Sequence, residues 1–441
     1  MISLASDWRG SATQSLRAFA MSRLVVVAGG TAGALIEPRM RIWYLYDPLR
    51  VSSSLGSVGN VLAATAVRWD AIHYLLIAQH GYAGSSETVF YPLYPLLIRI
   101  FSLVLGSEVL AGMLISAVSF CVALTLLHRL TELELSRSAA DATVLLLAFA
   151  PLSFFFTAVY TESLFLALSV GAVYAARCDR WALAGILAAL SAVTRVPGIL
   201  LVVLLACLYV RQSRHLDRLI AWLLLAPLAL GSFLAYLAAR GYGWLAPIKD
   251  QTGPQYAHRL AGPLSTVISA IHAGVSGVVA TIGGKRIFAP AIPLGPFSPQ
   301  FQSVVLLAVL VLATAALAVA FRRLPAAYGV YSLLVLLVCV YSPTVNQPLQ
   351  ALDRYTLTIF PLWMAAGDWL CRRRAVVPTV LLGACLLAFY AFEAATWIFI
   401  AGGTIACRQA ASLLLEGGLT ATTIEAVAAR AHVSKVTIYR S

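Results

Sequence analysis

The sequence predicts an all-α, polytopic membrane protein with about eleven transmembrane helices, and three observations carry that reading. Hydrophobic residues make up 61% of the 441 and charged residues only 11%, at a mean hydropathy of +0.87. Soluble domains carry roughly 25% charged residues, so this chain has too little charge to cover a water-facing surface. Its apolar residues also come in runs of about 20, the length that crosses a hydrocarbon core about 30 Å thick. Finally, the net charge of +13 is carried largely by arginines in short segments between those runs, the positive-inside pattern of membrane proteins.

Taken in order, the expected spans are 18–36, 108–127, 141–159, 162–177, 181–194, 196–210, 219–239, 301–321, 326–342, 355–370 and 376–400. Met1 to Arg23 carries Asp7, Arg9 and Arg17 and shows no apolar stretch ending in a cleavage site, so the first run is expected to stay as a span. Two further apolar stretches, 89–105 with Arg99 and two prolines and 264–283 rich in Gly, Ala and Ser, read as interfacial or re-entrant pieces. With these spans, Arg177 and Arg180, Arg211, Arg214 and Arg218, Arg322 and Arg323, and Arg372 to Arg374 share one side with the N-terminal arginines, and that side is assigned to the cytoplasm. Two long loops, about 37–91 and 240–300, then face outward and mark the working face. The seven cysteines fall mostly within spans or at their cytoplasmic ends, so no disulfide framework is expected.

Ionisable residues pressed against a bilayer are expensive and usually functional. They concentrate in R-W-D-A-I-H-Y-L-L-I-A-Q-H-G-Y, residues 68–82. Wound as a helix, this segment puts Trp69, Asp70, His73, Tyr74 and His80 on one side and Ile72, Leu75 and Leu76 on the other, with Ile77 breaking the pattern. Such a helix suits the interface, its polar side turned to a cavity. There Asp70 can take a proton from an attacking hydroxyl, while Arg68 and His73 tune it or hold a phosphate. The same residues also suit a plain interfacial anchor with Asp70 paired to Arg68. Glu162, Arg195 and Arg354 fall at the outer ends of spans, and Arg195 and Arg354 are candidates to clamp a phosphate. Lipid snorkelling is the alternative for each.

The run W-D-A-I-H-Y-L-L-I-A-Q-H-G-Y, followed by V-F-Y-P-L-Y-P from Val89, resembles the signature of the PIG-V-type mannosyltransferases of the GT-C superfamily. Y-T-E-S-L-F-L-A-L from Tyr160, T-R-V-P-G-I-L-L from Thr194 and, more weakly, D-R-Y-T-L-T-I-F-P-L from Asp353 fit the same family, over about residues 15–400. Two departures stand out: Phe90-Tyr91 replaces a Phe-Phe pair, and Val196-Pro197 replaces a polar pair before Gly198. The resemblance implies a GT-C-like fold and transfer of a sugar, commonly mannose, from a polyprenyl-phosphate donor with inversion, on the extracytoplasmic face of the cell membrane. Asp70 would be the general base, and Arg68, Trp69, His73, Tyr74, Glu162, Arg195 and Arg354 would line the substrate site. No cofactor is expected, and no D-x-D motif points to an obligatory metal, although Asp70 and Glu162 together leave a divalent ion open. The rival reading is a lipid-linked sugar transporter or flippase, which would place charges deep in the spans along a midplane path.

The membrane domain is expected to end near 403, and 404–441 differs in kind. Its A-T-T-I-E-A-V-A-A-R-A-H-V-S-K-V-T-I-Y-R resembles the helix-turn-helix of TetR-type repressors. His432 stands where a glycine usually makes the turn. The segment stops at the recognition helix, and these repressors read paired half-sites as dimers, so no functional nucleic-acid binding is expected. The partners expected are the lipid-linked donor and membrane lipids.

Overall fold

Apolar residues recur all round most of the long segments, and a helix that is apolar all round must be buried in protein or in lipid. The computed structural model describes residues 8–36, 47, 49–212, 218–252, 258–259, 261–288, 297–341, 343–344 and 347–397, and they form helices joined by short turns. In chain order the helices are α1 (Trp8–Ile36), α2 (Gly56–Leu62), α3 (Asp70–His80), α4 (Leu93–Leu105), α5 (Glu108–Glu134) and α6 (Arg137–Ala148). The chain continues through α7 (Glu162–Arg177), α8 (Trp181–Ala192), α9 (Leu201–Gln212), α10 (Leu225–Ala239), α11 (Ala246–Gln251) and α12 (Pro263–Ile282). It closes with α13 (Pro299–Arg323), α14 (Ala326–Tyr341), α15 (Leu352–Thr356), α16 (Phe360–Arg372) and α17 (Val376–Ala395). Among the described residues, six stretches are long and apolar enough to cross a membrane: α1, α5, Arg218–Ala239, α12, α13 and α17. The segment from 404, with its helix-turn-helix resemblance, lies outside the described residues, as does 289–296 in the second loop.

Helix α7 is the hub. It is buried along nearly its whole length and packs against α5, α8 and α9. Charged side chains meet inside the bundle at both of its ends. On the flank, α1 lies against α17 because Gly29 and Gly33, four residues apart on one face, let the backbone reach the carbonyls of Ala388 and Phe392. Small residues at that spacing are how membrane helices approach closely.

Three expectations change. Residues 141–159 are not one span: α6 stops at Ala148, and the chain runs on through a short 3-10 turn, Ser153–Phe156, before α7 begins. Pro151 lacks an amide hydrogen and disfavours helix at the residue before it, whereas hydropathy registers only that the stretch is apolar. Residues 264–283, expected as an interfacial or re-entrant piece, form the continuous α12, which is long and apolar enough to cross a membrane. Its glycines serve packing rather than breakage, since Gly274 abuts Leu307 and Gly277 abuts the Gln300 carbonyl of α13. Arg23, expected among the cytoplasmic arginines, sits inside α1 at 8% exposure.

Candidate active site

Helix α3 begins at Asp70, so Arg68 and Trp69 stand before it rather than on it. Trp69 occupies the N-cap position at φ 57°, a conformation a bulky residue rarely adopts. The helix does not lie on a surface, because Ala71, Ile72, His73, Tyr74, Leu75, Ile77 and Ala78 are all buried. The V-F-Y-P-L-Y-P run explains this. Phe90 stacks on His73 at 4.8 Å and meets Tyr74 edge-on, while Tyr91 packs against Phe233 of α10. Tyr94 reaches the Gly112 carbonyl and Ser116 of α5 through its hydroxyl, at 3.0 and 2.7 Å. The aromatic motif therefore clamps α3 at a fixed depth.

Four charged side chains from four element ends converge at this level. Asp70 opens α3, Glu162 opens α7, Arg195 precedes the 3-10 turn Val196–Leu200, and Arg354 lies in α15. Arg354 Nη1 donates to Asp70 Oδ2 at 2.7 Å and its Nε to Glu162 Oε1 at 2.5 Å. Arg195 Nη1 donates to the same Glu162 oxygen at 2.6 Å. Arg354 also lies over the rings of Phe155 and Tyr160, 4.9 and 4.6 Å from their centroids, and Arg195 over Tyr355 at 5.6 Å. The cluster is close to neutral, two carboxylates against two guanidinium groups, and a cation–π floor supports it. Ala351, which caps α15, has φ 64°. The elements that carry Asp70 and Arg354 thus each follow a non-glycine residue held at positive φ, the kind of local strain that clusters at functional sites.

Exposure separates the two carboxylates. The Glu162 side chain is 0% exposed and its Oε2 meets no donor, whereas the Asp70 side chain is 29% exposed. Of the two, Asp70 is the carboxylate open to solvent. The place between them, left open for a divalent ion, is taken by the Arg354 guanidinium.

The remaining sequence candidates have distinct positions. Arg68 does not pair with Asp70. Its Nη1 donates to the Val67 carbonyl at 3.0 Å and its Nη2 to the Ala395 carbonyl at 3.3 Å, and it stacks over Trp397 at 4.5 Å. Burial pulls its pKa from 12.5 down to about 10. It lines a small cleft with Thr65, Trp69, Phe154, Phe155, Tyr160 and Ala394. His73 is buried under Phe90, its Nδ1 meets no partner, and burial lowers its pKa, which favours the neutral imidazole. Tyr74 hydrogen-bonds Thr161 at 3.3 Å, next to Glu162.

Sequence reasoning passed over Phe155, Tyr160, Tyr355 and Asp353. Tyr160 was visible at the head of the Y-T-E-S-L-F block, and its hydroxyl donates to the Arg68 carbonyl at 2.7 Å. Asp353 accepts from the Arg354 amide at 2.9 Å through Oδ1, and burial pushes its carboxyl up to about 6. Gly198 of the T-R-V-P-G block has a structural reason: it lies directly on the Ser191 carbonyl, which also accepts the Arg195 amide at 3.2 Å, so the turn presenting Arg195 closes only on a residue without Cβ.

With this geometry in place, comparison with known proteins is informative. GPI alpha-1,6-mannosyltransferase 2 of Rattus norvegicus is 30% identical over 173 residues, 35% of this chain and 34% of that protein. GPI mannosyltransferase 2 of Yarrowia lipolytica is 28% identical over 170 residues, 38% and 44% of the two chains. These alignments span less than half the length of either relative. The crystal structure of the Archaeoglobus fulgidus oligosaccharyltransferase in the apo form is similar at a TM-score of 0.46 and 14% identity, over 93% of this chain and 59% of that one. Residues 407–441 match the family of bacterial regulatory proteins, tetR family, as the tail motif implies. Residues 19–251, more than half of the sequence and including Asp70, Glu162 and Arg195, match the mannosyltransferase (PIG-V) family, and the chain belongs to it.

Proposed function

We propose that the chain is a multi-pass membrane glycosyltransferase that moves mannose from a polyprenyl-phosphate donor to an acceptor hydroxyl on the extracytoplasmic face, with inversion. The observation that carries this reading is the partly exposed Asp70 carboxylate, fixed by Arg354 beside a sealed Glu162. In the reaction the acceptor oxygen bonds to the anomeric carbon as the bond from that carbon to the phosphate oxygen breaks. Asp70 takes the hydroxyl proton, and the polyprenyl phosphate leaves with the electron pair. One base suffices, because the leaving group is already an anion. Arg195 and Arg354 are engaged by carboxylates, so the donor phosphate falls to Arg68, which has no carboxylate within ion-pair distance among the described residues and already lines the cleft.

The transporter reading draws on one observation, a charge inside the first long helix. Arg23, however, spends its donors on protein acceptors, so enzymatic transfer is favoured. The test is transfer of labelled mannose from polyprenyl-phosphate mannose in membranes, with lipid and glycan extracts as acceptors. Asp70→Asn at equal protein level should lose about a hundredfold or more of the rate. A fully active variant removes Asp70 as base.

A further inference from the structure

Arg23 is a buried guanidinium without a carboxylate partner among the described residues, in a helix long enough to cross a membrane. Such a charge is costly unless every donor is met. Its partners are not scattered. Nη1 donates to the Ser153 carbonyl at 2.8 Å and to Thr157 Oγ1 at 3.1 Å. Nη2 donates to Ser153 Oγ at 2.6 Å and to the Ala148 carbonyl at 3.2 Å, and Nε to Ser22 Oγ at 3.3 Å. The guanidinium also sits 5.1 Å from the Phe120 ring centroid. Ser153 and Thr157 belong to the irregular stretch between α6 and α7 and Ala148 closes α6, so these partners sit where the helix ladder stops and carbonyls would otherwise be left bare in an apolar interior.

That stretch ends in the working parts. Phe155 and Tyr160 form the floor under Arg354, Thr161 meets Tyr74 and Arg195, and Glu162 opens α7. We propose that Arg23 is a positioning residue for the transfer reaction: it holds the 149–161 break in one conformation, and the break in turn holds the aromatic floor and Glu162 that fix Arg354 against Asp70. The inference rests on the reading of the Asp70 cluster as the active site. A misplacement of about 1 Å at a reacting group can cost on the order of a hundredfold in rate, which gives an arginine in α1 its leverage.

The experiment compares purified full-length wild type with Arg23→Met, Arg23→Lys and the milder Ser153→Ala, which removes one acceptor and keeps the backbone. Hydrogen–deuterium exchange reads the break directly, without reference to activity. Faster exchange is expected in peptides covering 149–161 and 352–358, with peptides of α12 and α13 unchanged. Mannosyl transfer should show kcat falling by roughly tenfold to a hundredfold in Arg23→Met with KM for the donor within about twofold, and partial recovery in Arg23→Lys. Exchange that is unchanged, or that rises evenly over the whole chain, overturns the proposal, and so does local loosening with kcat intact. Should Arg23→Met fail to fold, Ser153→Ala decides by the same two readouts. If wild type itself transfers no mannose, the functional reading fails, while the exchange pattern still decides whether Arg23 holds the break.

Discussion

The two ends of α7 carry two polar clusters of opposite character. At its C-terminal end Arg177 Nε meets Glu134 of α5, Tyr328 of α14 donates to the same Glu134 oxygen at 2.8 Å, and Arg177 Nη1 reaches Gln212 of α9 at 2.6 Å. There the Glu134 carboxylate is 4% exposed and the positive-φ neighbour is Asp179, a type that tolerates it. At the N-terminal end Asp70 remains 29% exposed and the positive-φ residues are Trp69 and Ala351, which do not tolerate it so readily. Four helices are tied together at the first site and a reachable carboxylate is presented at the second. A buried ion pair by itself is weak evidence for stability or function. What distinguishes the two is access, together with the strain and aromatic surface invested around the accessible carboxylate.

The largest expected effect breaks the N-terminal cluster. Arg354→Met leaves Asp70 and Glu162 facing each other without the bridging cation, so kcat should fall on the order of a hundredfold or more. Arg354→Lys should recover only part of this, since an ammonium cannot reproduce a planar fork aimed at two carboxylates. Steady-state transfer kinetics check both. Equal activity of Arg354→Lys and wild type would reduce Arg354 to a point charge and dissolve the contrast between the two ends.

The next effect lies at the other end and should be of the opposite kind. Glu134→Gln leaves Arg177 without its carboxylate, and losing one partner of a largely buried pair costs about 3 kcal/mol or somewhat less for a guanidinium still 26% exposed. Thermal unfolding in detergent should shift down by several degrees, while kcat per folded molecule stays within about twofold. A large kcat loss with unchanged stability would mean that the two ends are coupled through α7.

The same contrast shows what the sequence could and could not reveal. Asp70, Glu162, Arg195 and Arg354 were legible because ionisable residues at the ends of apolar runs are rare enough to count, and a common side places them together. Their pairing was not, since nothing in spacing tells Arg354 to bridge two carboxylates while Arg68, two residues from Asp70, turns to carbonyls and Trp397. Hydropathy could not distinguish the break at 149–161 from a span, because Phe154, Phe155 and Phe156 are as apolar in a turn as in a helix. Missing the break meant missing Arg23, whose role exists only because those carbonyls are bare. Composition also hid α12, whose Gly-rich stretch read as an interfacial or re-entrant piece and carries glycines packed against α13.

The smallest effect sharpens the comparison within the N-terminal end. Asp353 adjoins Arg354 yet makes no ion pair at the cluster, and burial holds its carboxyl at about 6 against an ordinary 3.8. The unfolded chain gives up this proton from about pH 4, whereas the folded chain keeps it until about pH 6. The cost of the buried carboxylate is therefore absent below about pH 4, grows between the two values and is complete above about pH 6. Asp353→Asn keeps an oxygen to accept from the Arg354 amide and carries no charge. It should match wild type in thermal stability near pH 4 and exceed it by a few degrees at pH 7.5. A variant that gains nothing at pH 7.5 would mean that Asp353 ionises with a partner, and its place would then be inside the working cluster with Asp70 rather than beside it.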